Sequence, residues 1–137
     1  MNNSQKFAEK LRNSGLRPTK QRLKICDILF GGKDTFHFSI NELSNLILKK
    51  TNEKISLATV YNTVHAFLNK GYIKQIAINS EQSYFDTNIS EHHHFYDEDK
   101  KQLIDIHGSE VEPVKINRDV PGKKIKSIEV LVKVTNK

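Results

Sequence analysis

The chain has 137 residues, a formal net charge of +6 and a single cysteine, Cys26. Such a length holds one domain or two small ones, the basic balance suits a polyanionic partner, and one thiol excludes both an internal disulfide and a cysteine-cage zinc site within the chain, as befits a reducing cytoplasm. No apolar run approaches the ~20 residues of a membrane span, and the opening Met-Asn-Asn-Ser-Gln-Lys lacks a signal-peptide core, so a cytoplasmic protein with no membrane partner is expected.

Charge is unevenly spread. Residues 1–86 carry 13 Lys/Arg against 7 Asp/Glu, whereas residues 87–137 carry 9 of each. The whole excess lies in the first part, which is therefore the part expected to meet nucleic acid.

Four helices are predicted first. Residues 4–14 place Phe7, Ala8 and Leu11 on one face and end at Asn13-Ser14-Gly15. Pro18 restarts the chain and Thr19 is placed to cap residues 20–30, with Leu23, Ile28 and Leu29 inward and Ile25 less well phased. Ser39 opens a third helix in which Ile40, Leu43, Ile47 and Leu48 recur at helical spacing, and Glu42 stands where a capping box needs it. Ser56 caps a fourth, from Leu57 to about Lys70, stopped by Gly71.

On a helical wheel Leu57, Val60, Val64, Phe67 and Leu68 form one face of the fourth helix. Thr59, Asn62, Ala66 and Asn69 form the opposite face, flanked by Ala58, Thr63 and His65. This outer face is small and polar, without acidic groups. It can enter a major groove, although an ordinary amphipathic helix gives the same wheel.

From Tyr72 the period changes. Ile73, Ile76 and Ile78, a turn at Asn79-Ser80-Glu81-Gln82, and a return through Ser83-Tyr84-Phe85-Asp86 read as a hairpin. Helices followed by a small hairpin predict a winged helix-turn-helix over residues 1–86. Residues 87–137 are strand-like, with runs at 103–106 and 128–134, the latter alternating Ile128, Val130, Val132 and Val134 with Glu129, Leu131, Lys133 and Thr135. So short a segment buries too little surface to stand alone; it is expected to dock on the first domain or on a second copy, giving an α+β homodimer with a strand-rich dimerisation and sensing domain.

His92, His93 and His94 are adjacent. In an extended segment His92 and His94 share a face and His93 takes the other. Two imidazoles on one face can take a divalent ion or haem iron; a solvated polar turn is the alternative.

Three blocks, Gly15-Leu16-Arg17-Pro18-Thr19-Lys20-Gln21-Arg22-Leu23, His37-Phe38-Ser39 and Ile55-Ser56-Leu57-Ala58-Thr59-Val60-Tyr61-Asn62-Thr63-Val64, resemble the signature of the ferric uptake regulator (Fur) family. His92-His93-His94-Phe95 and Leu103-Ile104-Asp105-Ile106 continue the likeness. It implies a recognition helix beginning at Leu57, with Tyr61 and Asn62 facing DNA and Arg17 near the backbone or minor groove; the outer face of the wheel adds Thr59 to the expected DNA contacts. It also implies a regulatory metal site drawn from His37, Asp86, His92 and His94, which would clamp the two domains. Double-stranded operator DNA, bound by a homodimer, is the implied partner.

There are departures. Asp97 and Lys100 stand where the family has a Cys-x-x-Cys pair, so no structural cysteine zinc is expected. The histidine run, the missing cysteines and the ending from Val120-Pro121-Gly122 into a strand resemble the iron response regulator (Irr) branch. That branch senses haem and binds DNA when iron is scarce, and the resemblance implies haem at His92, His93 and His94. The rival within the family is direct sensing of Fe2+, Mn2+ or Zn2+. An enzyme is not expected, because no His-Glu-x-x-His or comparable motif accompanies the histidines. A nucleic-acid-binding module without a sensor is the remaining alternative.

Overall fold

The computed structural model describes residues 2–137; Met1, part of the stretch expected to carry no signal peptide, lies outside the described residues. The chain divides into two compact units, the first ending at Ile89 and the second running Ser90–Lys137.

The first unit is helical with a small sheet. Helix α1 spans Asn3–Asn13, α2 Lys20–Phe30, α3 Ile40–Thr51 and α4 Leu57–Asn69. Each starts where a short polar side chain can accept from an amide that the helix leaves unpaired. Thr19 takes the amide of Arg22, Ser39 that of Glu42 and Ser56 that of Thr59. Asn2 and Gln5 cap α1 reciprocally. Each such cap is worth about 1 kcal/mol. Gly71, at φ +77°, supplies the left-handed turn after α4 that lets Tyr72 N–H reach Phe67 O at 3.0 Å.

Strand β1 is His37–Phe38, β2 Lys74–Ala77 and β3 Ser83–Asp86. All pairing is antiparallel, with β3 central, in the order β1-β3-β2. β2 and β3 are the expected hairpin. β1 was not expected; the sequence placed His37 at the opening of the third helix. Its two residues pair His37 with Asp86 and Phe38 with Phe85, which fixes the strand ahead of Ser39. Helices plus this hairpin make a winged helix-turn-helix.

The first unit's core joins Leu11, Ile25, Leu29, Phe38, Leu43, Ile47, Val60, Val64, Phe67 and Phe85. Three helical phases differ from the wheels. Leu48 and Leu57 are exposed and Thr63 is buried. Leu57 is the first residue of α4 and stands outside the packed core cluster. In the helix body the inward stripe runs through Val60, Thr63, Val64 and Phe67. Ile25, poorly phased on the wheel, and Cys26 are both buried in this core.

The second unit is one three-stranded sheet of order β5-β4-β6, where β4 is His93–Asp97, β5 Gln102–Ile106 and β6 Leu131–Val134. β5 runs antiparallel to β4, and β6 runs parallel to it. A parallel neighbour needs a long return. Residues 111–130 provide it, mostly exposed and without helix or strand, after a single 3-10 turn at Gly108–Glu110. The expected strand from Ile128 therefore shortens to Leu131–Val134, and its alternation does not become a buried face, since Val132 is 38% exposed.

Candidate functional site

Two clusters of potential ligands stand in the two units. In the first, His37 and Asp86 are direct register partners, and His37 Nε2 lies 3.7 Å from Asp86 Oδ2. Asp86 is 1% exposed. Its other oxygen, Oδ1, accepts from Asn88 N–H at 2.8 Å, which fixes the carboxylate's orientation. On the other side of β3 the register partner of Asp86 is Lys74.

In the second unit the expected pairing of His92 with His94 holds. Their rings lie 4.4 Å apart, and both present Nε2 to Asp105 Oδ1, at 3.4 Å and 3.3 Å respectively. His94 is 6% exposed. The His92 Nδ1–H donates to Ser90 O at 2.8 Å, the tautomer that leaves Nε2 with its lone pair. Ligand atoms around an ion bound at about 2.0–2.2 Å stand roughly 3–3.5 Å apart, so this spacing fits a small divalent cation. The sequence offers Asp105 as part of a strand run and of a family-like block but not as a ligand, because it meets His94 through the β4–β5 register.

His93 departs from the set expected for haem. Its Nδ1 accepts from Val130 N–H at 2.9 Å, and its place in β4 sets it on the face opposite His94. The three histidines therefore do not converge: two form a ligand pair and the third fastens the chain leading into β6.

At Asp97–Lys100 the chain forms a hydrogen-bonded turn. Asp97 Oδ1 accepts from the amides of Asp99 and Lys100, each at 3.0 Å. Asp99 Oδ2 in turn accepts from Thr135 Oγ1 at 3.1 Å and Asn136 N–H at 2.6 Å, tying the β4–β5 turn to the carboxyl-terminal end. Burial, opposed by Lys10 and reinforced by Asp27, pushes the Cys26 thiol up to about 12, which keeps it protonated and a poor ligand.

The candidate DNA-reading residues lie on α4 and the α1–α2 loop. Leu57, Ala58, Tyr61 and Asn62 form one exposed stripe along the first two turns of α4, Tyr61 being 51% exposed. Thr59 is half-buried, and its Oγ1 accepts from Ser56 Oγ at 2.9 Å within the helix cap. The stripe thus gains Leu57, which the wheel put inside, while the Thr59 hydroxyl is engaged locally. Arg17 is exposed, and its carbonyl accepts from Thr19 N–H at 3.0 Å and Arg22 Nη1 at 3.1 Å, which shapes the loop. His65, expected at the edge of the reading face, packs against Tyr61 with ring centroids 4.1 Å apart.

Among the described residues no helix is long and apolar enough to cross a membrane. A model of the ferric uptake regulator family matches residues 13–133. The peroxide-responsive repressor PerR of Staphylococcus epidermidis is 30% identical over 104 residues, 76% of this chain and 67% of that protein. The peroxide operon regulator of Bacillus subtilis is 29% identical over 99 residues, 72% of this chain and 66% of that one. Among solved structures, the Vibrio cholerae ferric uptake regulator aligns with a TM-score of 0.71 at 22% identity, over 95% of this chain and 99% of that chain. The Pseudomonas aeruginosa ferric uptake regulator with manganese aligns at 0.68 and 22%, over 94% and 96%.

Proposed function

The chain belongs to the ferric uptake regulator family, whose members are DNA-binding transcription regulators and not enzymes, and from that premise we propose that it is a homodimeric, operator-binding regulator whose DNA affinity is set by a directly bound divalent ion. The observation that carries this reading is the pair of imidazole nitrogens converging on one carboxylate oxygen of Asp105.

Each unit alone offers few donors: His37 and Asp86 in the first, His92, His94 and Asp105 in the second. Neutral imidazole with carboxylate suits Zn2+, Mn2+ or Fe2+. An ion that favours the conformer in which its ligands converge would shift the protein toward that conformer, and so couple occupancy to operator affinity. When bound, the ion supplies a positive centre that holds the carboxylates and imidazoles in one geometry.

The DNA contacts follow from the exposed stripe of α4. Asn62 offers the bidentate amide that pairs with adenine, Leu57 and Ala58 offer apolar contact for a thymine methyl, and Tyr61 a hydroxyl. Arg17 and the lysines of the first unit supply phosphate contacts. Two-fold symmetry of the protein calls for a palindromic operator. The homodimer itself is supported by a row of side chains on one face of the second sheet. Ile104, Phe95 and Val132 are register partners, with Ile104 48% exposed.

Haem is the narrower alternative, resting on the likeness to the iron response branch. A flat macrocycle needs an accessible imidazole, whereas His94 is buried, His92 and His94 face a carboxylate, and His93 is bonded to Val130. These features favour a small ion. The deciding experiment titrates the metal-free protein with Mn2+, Zn2+ and Fe2+, and separately with haem, while operator affinity is followed by fluorescence anisotropy. A divalent-ion response that His92→Ala/His94→Ala abolishes is expected. A response to haem alone, with a haem absorption band lost in the same variant, would establish the iron response reading instead.

A further inference from the structure

We propose that His65 is a positioning residue that makes the placement of the DNA-reading Tyr61 depend on the strand carrying Asp86, so that ligand binding is transmitted to the reading helix inside the first unit itself. This rests on the proposal that His37 and Asp86 take part in binding a divalent ion.

The connection is a continuous series of ring contacts. His37 and Asp86 are register partners, and the next pair along the same two strands is Phe38 with Phe85. Those two rings stack, 5.7 Å apart with planes 27° from parallel. The Phe85 ring then meets His65 edge to face, 5.8 Å apart at 82°. His65 packs on Tyr61, one helical turn earlier, at 4.1 Å and 37°. Such contacts have definite preferred geometries, and Phe38 and Phe85 are 2% exposed, so neither can move without disturbing its neighbour. A shift of β1 against β3, which an ion drawing His37 and Asp86 together would cause, therefore reaches Tyr61 through only two intervening side chains on β3 and α4.

The series ends on a surface fit to use it. Tyr61, His65 and Phe85 line a cleft of about 380 Å³ together with Asn41, Gln75 and Ser83, between the reading helix and the wing. Tyr61 is half exposed there and is held on its inner side by the imidazole. Nothing in the helical wheel points to this role, because His65 reads as one more polar residue beside the outer face.

The test uses full-length protein in which the four tyrosines are replaced by 3-fluorotyrosine and followed by fluorine NMR, the Tyr61 resonance being assigned with Tyr61→Phe. Zn2+ is added, and its binding is measured independently by calorimetry. Zn2+ is expected to move the Tyr61 resonance in the wild type and in His65→Phe, which keeps a ring, but not in His65→Ala. The Zn2+-dependent gain in operator affinity should fall by roughly 3–10-fold in His65→Ala, as for other mutations along a coupling network, while calorimetric Zn2+ affinity stays unchanged. If Zn2+ binds and Tyr61 stays silent in the wild type, or still responds in His65→Ala, the relay is wrong and the ion-sensing reading stands. If the wild type takes up no Zn2+, the sensing reading fails and the relay fails with it.

Discussion

His94 and Asp105 face each other across β4 and β5, with His94 Nε2 3.3 Å from Asp105 Oδ1. The same oxygen lies 3.4 Å from His92 Nε2. Asp105 faces the very ring nitrogens that would bind the proposed ion, which places it as a third ligand. Asp105→Ala should therefore lower divalent-ion affinity by about 10–100-fold, measured by competition with a chelating dye. Unchanged affinity would remove Asp105 from the site.

Arg17→Ala and Asn62→Ala should act differently. Loss of a phosphate-facing Arg17 is expected to weaken binding to operator and random DNA alike and to flatten the salt dependence by about one unit. Loss of Asn62 should cost about 1–3 kcal/mol at one operator position and relax the preference there. Anisotropy titrations against operator variants at several salt concentrations separate the two. If both variants affect all sequences equally, α4 is not the reader.

The row Ile104–Phe95–Val132 predicts where two chains meet. Ile104→Glu puts a charge into that face, and dimer dissociation in sedimentation equilibrium should rise by about tenfold or more, as for a buried interface residue. A wild-type protein that is monomeric at micromolar concentration yet binds operator tightly would show that the row serves another purpose.

Cys26 should be inert. Thiolate is the reactive form, and a thiol pushed up to about 12 is almost wholly protonated near neutral pH. Alkylation by iodoacetamide, followed by mass spectrometry, should be slow in the native protein and fast only after unfolding. Rapid native labelling would contradict the burial of Cys26 among Leu29, Ile25 and their neighbours.

Asp97 should matter for stability. Its carboxylate accepts two backbone amides of the β4–β5 turn, and Asp97→Ala leaves both without that partner. A loss of about 1–2 kcal/mol in urea denaturation is expected. Asp97→Asn, which keeps an acceptor oxygen, should recover most of it; equal losses in the two variants would argue against the hydrogen bonds as the cause.

The sequence alone determined whatever depends on residues a turn apart. Thr19, Ser39 and Ser56 cap helices because hydroxyl and amide are brought together by three residues of local chain. His92 and His94 share a face because a strand alternates. The hairpin after α4 and the family blocks were legible for the same reason. Only tertiary structure decided what depends on pairing between distant segments. The two-residue strand β1 exists because β3, some fifty residues later, pairs with it. Asp105 becomes a partner of His94 through register, His65 becomes a partner of Phe85 through the packing of α4 on the wing, and the apolar alternation from Ile128 yields to a short strand parallel to β4. Periodicity is written into neighbouring residues, whereas register is a balance of burial and hydrogen bonding between segments that no local pattern fixes.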